Sequence, residues 1–190
     1  MTLQTTASQS DIRRNGVNVT ALFDTIDTVR ADPALGAFRF RADNAWRSGG
    51  HNRSSIRSFY GCGKEDASRQ APFVLDADEP PILLGEDRAA NPVEFVLHAL
   101  AACLTTTLAY HAAARGIEIG SIESSLEGDL DLRGFLGISD EVRRGFSEVR
   151  VHMKVAGAAS PDQLRELAAF SPVYDIVSNS LPVRLSFQSC

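Results

Sequence analysis

Apolar residues recur along the chain with two different periods, which predicts a mixture of helices and strands. Near the N-terminus, five of them are spaced as on one face of a helix: Val19, Leu22, Phe23, Ile26 and Val29. This pattern ends before ADPALG, and residues 1–17 in front of it are polar and predict a loose tail. We therefore assign residues 1–35 to a tail and an amphipathic helix, and residues 36–190 to the main domain.

Short or alternating apolar runs predict the strands. Three antiparallel strands are expected in AFRFRADNAW, HNRSSIRSFYG and APFVLDAD, with glycine turns between them. Two more strands are predicted by alternation at Leu126, Leu130 and Leu132, and then at Val149, Val151, Met153 and Val155. The segment PVRLSFQ predicts a final strand near the C-terminus.

The segment VEFVLHALAACLTTTLAYHAAARG, residues 93–116, is helical in pattern and apolar nearly all round. Pro92 suits the first turn of this helix, and Gly116 suits its C-terminal end. Ser160 with Pro161, and Ser171 with Pro172, predict the starts of two further helices. The order predicts an α+β fold with antiparallel sheets wrapped around the central helix. One chain would have difficulty burying so apolar a helix, so we expect an intertwined homodimer.

Composition excludes several classes of function. A formal net charge of -5, without a long basic run, argues against nucleic acid as a partner. No uninterrupted apolar stretch is long enough for a membrane span and the N-terminus has no apolar leader, so we expect a cytoplasmic protein that does not bind membranes. The four histidines lack the spacing of metal ligands and no phosphate-binding loop is present. We therefore expect no metal and no other cofactor.

Cysteine is the residue type that carries candidate chemistry. Cys62, Cys103 and Cys190 are odd in number and widely spaced, which favours free thiols over disulfides or a zinc site. Cys103 lies in the middle of the central helix, where peptide dipoles nearly cancel, so a thiolate there needs a cation from elsewhere. Without such a partner, Cys103 is better interpreted as a small buried side chain.

The segment NPVEFVLHALAACLTTTL resembles the signature of the OsmC/Ohr family, the osmotically inducible and organic hydroperoxide resistance proteins. WRSGGHNRSS resembles the strand start that carries the family's active-site arginine, and FSPVYDIVSNSLPVRL resembles its C-terminal Cys-Pro-Val element. The likeness covers residues 36–190, with the N-terminal helix as a subgroup extension. It implies an OsmC-like fold and a peroxidase that reduces alkyl or fatty-acid hydroperoxides, with an external thiol or dithiol as reductant.

By position, the resemblance makes Cys103 the nucleophile, Arg53 the active-site arginine and Glu94 the carboxylate that orients it. Arg47 is an alternative to Arg53, because two residues separate the glycine pair from Arg53. Glu94 and Cys103 are nine residues apart and therefore point to opposite sides of a straight helix. Either Glu94 lies in an irregular first turn, or it serves the cysteine of the other subunit. We expect the active sites at the dimer interface.

The sequence departs from the two-cysteine pattern at Ser171, because the hydroxyl of Ser171 stands where a resolving thiol is expected and cannot form a disulfide. Three consequences are open. An external thiol could reduce the oxidised Cys103, Cys62 could resolve it from a mobile glycine-rich loop, or peroxidase activity could be weak or lost. The last defines an alternative function, a non-catalytic protein that binds a hydrophobic small molecule at the dimer interface. Cys190 is assigned no role.

Overall fold

The computed structural model of the protein describes residues 11–188. Cys190 and residues 1–10 of the predicted tail lie outside the described residues. The fold combines small antiparallel sheets with a long helix, so the α+β prediction is confirmed. The chain forms two compact units, one up to Val96 and one from Leu97 onward.

The first unit begins with a short hairpin of β1 (Arg13–Arg14) and β2 (Val17–Asn18), followed by α1 (Val19–Ala31). Asn18 caps α1, since its side chain accepts a hydrogen bond from Ala21 N at 3.0 Å. The predicted helix is confirmed. The predicted loose tail is wrong for residues 13–17, because Asn15 and Gly16 adopt positive φ angles of 51° and 77° that close a tight turn.

Five strands follow in the first unit. They are β3 (Asp43–Ser48), β4 (His51–Ile56), β5 (Phe59–Gly61), β6 (Lys64–Asp66) and β7 (Phe73–Ala77). The sheet order β3-β4-β7 is antiparallel throughout, which confirms three predicted strands, while β5 and β6 form a separate hairpin.

Two strand boundaries differ from the prediction. The first strand starts at Asp43, and the preceding segment makes only an isolated bridge from Arg39 to Tyr60. The second strand stops at Ile56, because the residues from Phe59 onward pair with β6 instead. Periodicity alone could not separate the two strands of the second segment, since Ile56 and Phe59 stand there among polar residues without a regular period.

The long helix α2 (Pro92–Ala114) joins the two units. Pro92 is its first residue and Gly116 follows its end with φ of 75°, as predicted. By length and composition α2 could cross a membrane, a test that the core helix of a soluble protein also passes. Only 22% of its most apolar window is buried within this chain.

The second unit contains β8 (Ile119–Asp129), α3 (Leu132–Phe135), β9 (Glu148–Gly157), α4 (Pro161–Ala168) and α5 (Pro172–Ser178). β8 and β9 pair antiparallel, as predicted. Leu108 and Ala112 of α2 and Leu167 of α4 form a buried cluster packed against apolar residues of both strands. The predicted caps of α4 and α5 are confirmed, because Ser160 accepts from Gln163 N and Ser171 accepts from Tyr174 N.

Two predictions in this unit are wrong. β8 ends at Asp129, before Leu130 and Leu132, because Asp131 caps α3 by accepting a hydrogen bond from Arg133 N. The predicted final strand is not formed, and residues 181–188 have no strand pairing. Four alternate apolar side chains of this segment are exposed by 53–93%: Leu181, Val183, Leu185 and Phe187.

Candidate functional site

The Cys103 thiol lies next to the hydroxyl of Ser171. Ser171 Oγ donates a hydrogen bond to Cys103 Sγ over 3.1 Å, although the two residues are 68 positions apart in sequence. Cys103 is partly buried in the middle of α2, and Ser171 is only 1% exposed. The structure therefore brings together the predicted nucleophile and the residue at the predicted resolving position.

Ser171 is held at this place by its second hydrogen bond. Its Oγ accepts from Tyr174 N at 3.2 Å, which caps α5 and fixes the side chain. A serine hydroxyl has one proton to donate, and the sulfur is the acceptor it reaches. The N-cap role was predicted from sequence, whereas the contact with the sulfur depends on how α5 packs beside α2.

An apolar groove of about 490 Å³ lies beside this pair in the second unit. It is lined mainly by aliphatic side chains: Leu104, Leu108, Val151, Met153, Val155 and Leu164. Leu104 follows Cys103 in α2, and Tyr174 also lines the groove while its backbone N–H binds Ser171. The groove is therefore next to the pair through Leu104 and Tyr174, while Cys103 and Ser171 themselves are not part of its lining.

Arg53 lies in the first unit and is paired with Asp76. The two residues face each other across β4 and β7, and their ion pair is bidentate, with Nε to Oδ1 at 2.8 Å and Nη2 to Oδ2 at 2.9 Å. His51 Nε2 lies 3.1 Å from the same Oδ1, and Arg88 Nη1 lies 3.3 Å from His51 Nδ1. Because a guanidinium only donates, His51 Nδ1 accepts, and its Nε2–H donates to Asp76.

This pairing shifts the pKa values of both Asp76 and Arg53. The hydrogen bond from Arg53, followed by that from His51, lowers the pKa of Asp76 to about 2. The same bond raises the pKa of Arg53 above its ordinary value. Asp76 also lines a groove of about 280 Å³ with Pro92 and Phe95, so the ion pair lies beside the start of α2. Sequence reasoning missed Asp76, although its alternation with Leu75 placed it on a strand.

Arg47, the alternative arginine, lies in β3 where the pairing with β4 shifts register between Trp46 and Ser48. Its side chain is exposed, and among the described residues it has no hydrogen bond or ion pair. Arg53 is therefore the arginine that has a carboxylate to orient it, and Arg47 is the one whose charge is uncommitted. That Arg53, rather than Arg47, is the arginine that acts on the Cys103 thiol stays a prediction.

Glu94 occupies the third position of α2, in a regular first turn. Its Oε2 accepts a hydrogen bond from Asn91 N at 2.8 Å, and Asn91 Oδ1 accepts from Val93 N at 2.9 Å. These reciprocal bonds form a capping box. Glu94 therefore caps the first turn of α2, and its relation to Cys103 stays a prediction. Within the first unit, the carboxylate paired with Arg53 is that of Asp76 and not that of Glu94.

Buried Asp78 organises the loop that leads into α2, and sequence reasoning missed it. Its carboxylate is 2% exposed and accepts backbone N–H bonds from Glu79, Glu86 and Arg88. Burial acts to raise the pKa of Asp78, but the three donors outweigh it and the net shift is downward. The loop is therefore fixed internally before Asn91 starts the helix.

Cys62 is not on an open loop, contrary to the expectation from its glycine neighbours. It occupies the turn of the β5–β6 hairpin, where Cys62 and Gly63 have φ angles of 50° and 76°. Its thiol is exposed and free. The role of Cys62 as an alternative resolving thiol stays a prediction. Among the described residues no cluster of His, Cys, Asp or Glu is suited to a metal ion.

Comparison with known proteins identifies the fold. The family model for OsmC-like proteins matches residues 85–186, more than half of the chain. An OsmC-like protein from Mycoplasma pneumoniae has a TM-score of 0.54 at 16% identity, over 75% of this chain and 89% of its own. An OsmC-like protein of unknown function from Vibrio cholerae has a TM-score of 0.50 at 13% identity, over 75% and 93%. A search of curated proteins finds no significant match.

Proposed function

Because the chain belongs to the OsmC-like protein family, which is associated with oxidative stress and redox roles, we propose that it is a thiol-dependent peroxidase that reduces organic hydroperoxides through Cys103. The observation that carries this proposal is the contact between the Cys103 sulfur and the buried hydroxyl of Ser171. A thiol used only as a small apolar side chain has no need of a hydrogen-bond donor. A donor beside the sulfur favours its ionised form, which is the nucleophile.

The reaction proposed for Cys103 is a two-electron oxidation of sulfur. The thiolate attacks the terminal oxygen of the hydroperoxide, an S–O bond forms and the O–O bond breaks. The products are cysteine sulfenic acid and an alkoxide, which takes a proton from water to become the alcohol. A guanidinium stabilises both the thiolate and the developing alkoxide, and we assign this role to Arg53 with Asp76 as its orienting carboxylate.

The substrate class follows from the apolar groove beside the Cys103–Ser171 pair. Its aliphatic lining suits the hydrocarbon part of an alkyl or fatty-acid hydroperoxide better than hydrogen peroxide, which has no apolar surface to bury. We therefore propose that alkyl and fatty-acid hydroperoxides are preferred substrates.

Regeneration requires a thiol from outside the Cys103–Ser171 pair. An external thiol condenses with the sulfenic acid to give a mixed disulfide and water, and a second thiol group then releases the reduced Cys103. We favour this route over resolution by Cys62, because the hairpin turn fixes that thiol. The described cysteines are unpaired, which suits the reducing cytoplasm in which we place the protein.

A homodimer completes the proposal. Large apolar side chains are exposed in both units, with Trp46 at 73%, Phe40 at 70% and Phe187 at 93%, and α2 itself is poorly covered. A second copy of the chain would cover this surface. We propose that the arginine, and Glu94 at the exposed start of α2, reach the thiol of the other subunit in this assembly.

Residue-resolved oxidation tests the proposed function. The protein is treated with cumene hydroperoxide in the presence of a sulfenic-acid trap, and labelling of Cys62 and Cys103 is measured by mass spectrometry. We expect rapid trapping at Cys103 alone, and no trapping in Cys103→Ser. Labelling of Cys103 as slow as that of exposed Cys62 would overturn the peroxidase assignment.

The second candidate is a non-catalytic protein that binds a hydrophobic small molecule. Ser171 favours it, because the hydroxyl removes the disulfide step, and the apolar groove provides the volume. Slow labelling in the experiment above, together with binding of a fatty acid that is lost when Leu164→Asp charges the groove, would support this candidate.

A further inference from the structure

We infer that Ser171 is a catalytic hydroxyl of this site, which donates its hydrogen bond to Cys103 Sγ and assists the attack of that sulfur on the peroxide. This inference rests on the proposed function, since it gives Ser171 a part in the peroxide step. It goes beyond the loss of a resolving thiol, because it assigns the serine an activity of its own.

The direction of the hydrogen bond follows from the surroundings of Ser171. Its oxygen already accepts from Tyr174 N at 3.2 Å, and at 1% exposure the hydroxyl proton has no access to water. A buried hydroxyl proton needs an acceptor, and Cys103 Sγ at 3.1 Å is the acceptor in contact with it. The sulfur therefore receives a hydrogen bond whether or not it carries its own proton.

A thiolate accepts a hydrogen bond much more strongly than a thiol, because the bond to the ion is assisted by charge. The donor thus stabilises the ionised sulfur relative to the neutral one. Hydrogen bonds to charged groups contribute about tenfold or more to an equilibrium constant in proteins. The hydrogen bond from Tyr174 N, which caps α5, also keeps the Ser171 hydroxyl from rotating away from the sulfur.

The same bond assists the chemical step without consuming Ser171. As the S–O bond forms and the O–O bond breaks, the sulfur changes from thiolate to sulfenic acid, and the serine keeps its proton throughout. The alkoxide is protonated by water. The serine cannot attack the sulfenic acid to make a disulfide, so the oxidised sulfur remains available to a thiol of the external reductant.

The test uses Ser171→Gly, because glycine is accepted at a helix N-cap almost as well as serine yet removes the hydroxyl. Ser160→Gly is the matched control, since Ser160 caps α4 by the same kind of bond and its contacts are with Gln163 rather than with the sulfur. Ser171→Thr retains a hydroxyl and should rescue the site. Cys62 in each sample is an internal reference.

Two measurements are made on each variant. The first is the rate of Cys103 alkylation by iodoacetamide as a function of pH, in which the midpoint reports ionisation of the sulfur and the plateau reports access to it. The second is the single-turnover rate of sulfenic acid formation with cumene hydroperoxide. Both are resolved by residue with mass spectrometry.

We expect Ser171→Gly to move the midpoint for Cys103 upward by about one pH unit and to slow peroxide oxidation at pH 7 about tenfold. Ser160→Gly should behave as the wild type, and Ser171→Thr, which keeps a hydroxyl donor, should lie closer to the wild type than Ser171→Gly does. An unchanged midpoint in Ser171→Gly would overturn the inference, whatever happens to the plateau. A raised midpoint in a protein whose wild type does not react with hydroperoxide would instead overturn the proposed function and leave the hydrogen-bond donor established.

Discussion

At the scale of single residues, a serine changes what a reactive cysteine can do. Ser171 donates to the Cys103 sulfur at 3.1 Å and is fixed there by the cap of α5. In the proposed reaction, a thiol at this position could trap the oxidised sulfur, whereas the hydroxyl leaves the sulfenic acid open to an external thiol. Under that proposal, the residue identity at position 171 decides which reductant is required.

Replacing Ser171 by cysteine should convert the site to a two-cysteine type. Because Ser171 Oγ is already 3.1 Å from Cys103 Sγ, a sulfur in its place needs only a small shift to reach the bonding distance of about 2.05 Å. One equivalent of cumene hydroperoxide should then yield a disulfide between residues 103 and 171, detected as a linked peptide by mass spectrometry. Ser160→Cys, at the cap of α4, is the control. Persistence of free sulfenic acid in the Ser171→Cys protein would contradict the placement of the two side chains.

Glu94 has a structural role that can be separated from a chemical one. Glutamine also forms a capping box, so Glu94→Gln should keep the wild-type free energy of unfolding while Glu94→Ala loses about 1 kcal/mol. If the charge serves the active site, both variants should lose about tenfold in kcat/KM. Urea unfolding and peroxide turnover measure the two effects. Full activity in Glu94→Gln would restrict Glu94 to capping.

Residues with local partners could be predicted from sequence, and residues with distant partners could not. The caps at Ser160 and Ser171 depend on side chains three positions away, so their spacing was sufficient. The contact of Ser171 with Cys103 spans 68 residues, and the pairing of Arg53 with Asp76 depends on the register of two strands. The resemblance to the OsmC/Ohr family indicated that position 171 is of interest, but no local sequence pattern predicted the hydrogen bond from Ser171 to Cys103.

At the scale of elements, the sheet β3-β4-β7 positions the arginine. Arg53 and Asp76 are directly opposite each other on neighbouring antiparallel strands, so their side chains emerge on the same face. His51, two residues before Arg53 and thus on that face, adds a third hydrogen-bonding group. The result is a guanidinium whose direction is set by the sheet.

The ion pair makes the first unit sensitive to acid. The pKa of Asp76 in the folded protein is about 2, below that of an unperturbed aspartate at about 3.9, so the unfolded chain takes up the proton first. The stabilisation is therefore complete above pH 4 and is lost as the pH falls toward about 2. Asp76→Asn and Arg53→Gln should both flatten the dependence of unfolding free energy on pH in this window. Slopes equal to that of the wild type in both variants would contradict the pairing.

The boundaries of helices and strands show what hydrophobic periodicity alone does not predict. Apart from α3, the helices were predicted closely, because proline, glycine and capping residues mark ends at Pro92, Gly116 and Ser160. The segment after Ser178 alternates like a strand, yet a strand also requires a partner, and residues 181–188 pair with no strand of the described chain. The alternation of apolar residues indicates that this segment can form a strand, but it does not indicate which strand it would pair with.

At the scale of the whole molecule, the distribution of apolar surface requires an explanation beyond one chain. The helix α2 is only 22% buried over its most apolar window, and Val183, Leu185 and Phe187 are 74–93% exposed. Soluble monomers seldom expose so many large apolar side chains. The proposed association of two chains would cover these side chains and could supply a partner for the unpaired C-terminal segment.

Charging the C-terminal segment should therefore dissociate the protein. We expect Leu185→Asp to shift the protein from dimer to monomer in sedimentation velocity and to reduce peroxidase activity with it, since the site is proposed to draw on both subunits. Arg184→Ser changes the neighbouring residue, whose side chain points to the other side of an extended segment, and should leave the dimer intact. A wild-type protein that sediments as a monomer would contradict the assembly.

The most direct measurement of the central claim is the steady-state consumption of cumene hydroperoxide with a dithiol as reductant. It is compared among the wild type, Cys103→Ser and Cys62→Ser at equal concentration. The account predicts turnover that is abolished in Cys103→Ser and retained in Cys62→Ser. Turnover that survives the loss of Cys103, or its absence from the folded wild-type protein, would contradict the assignment of Cys103 as a peroxide-reducing thiol.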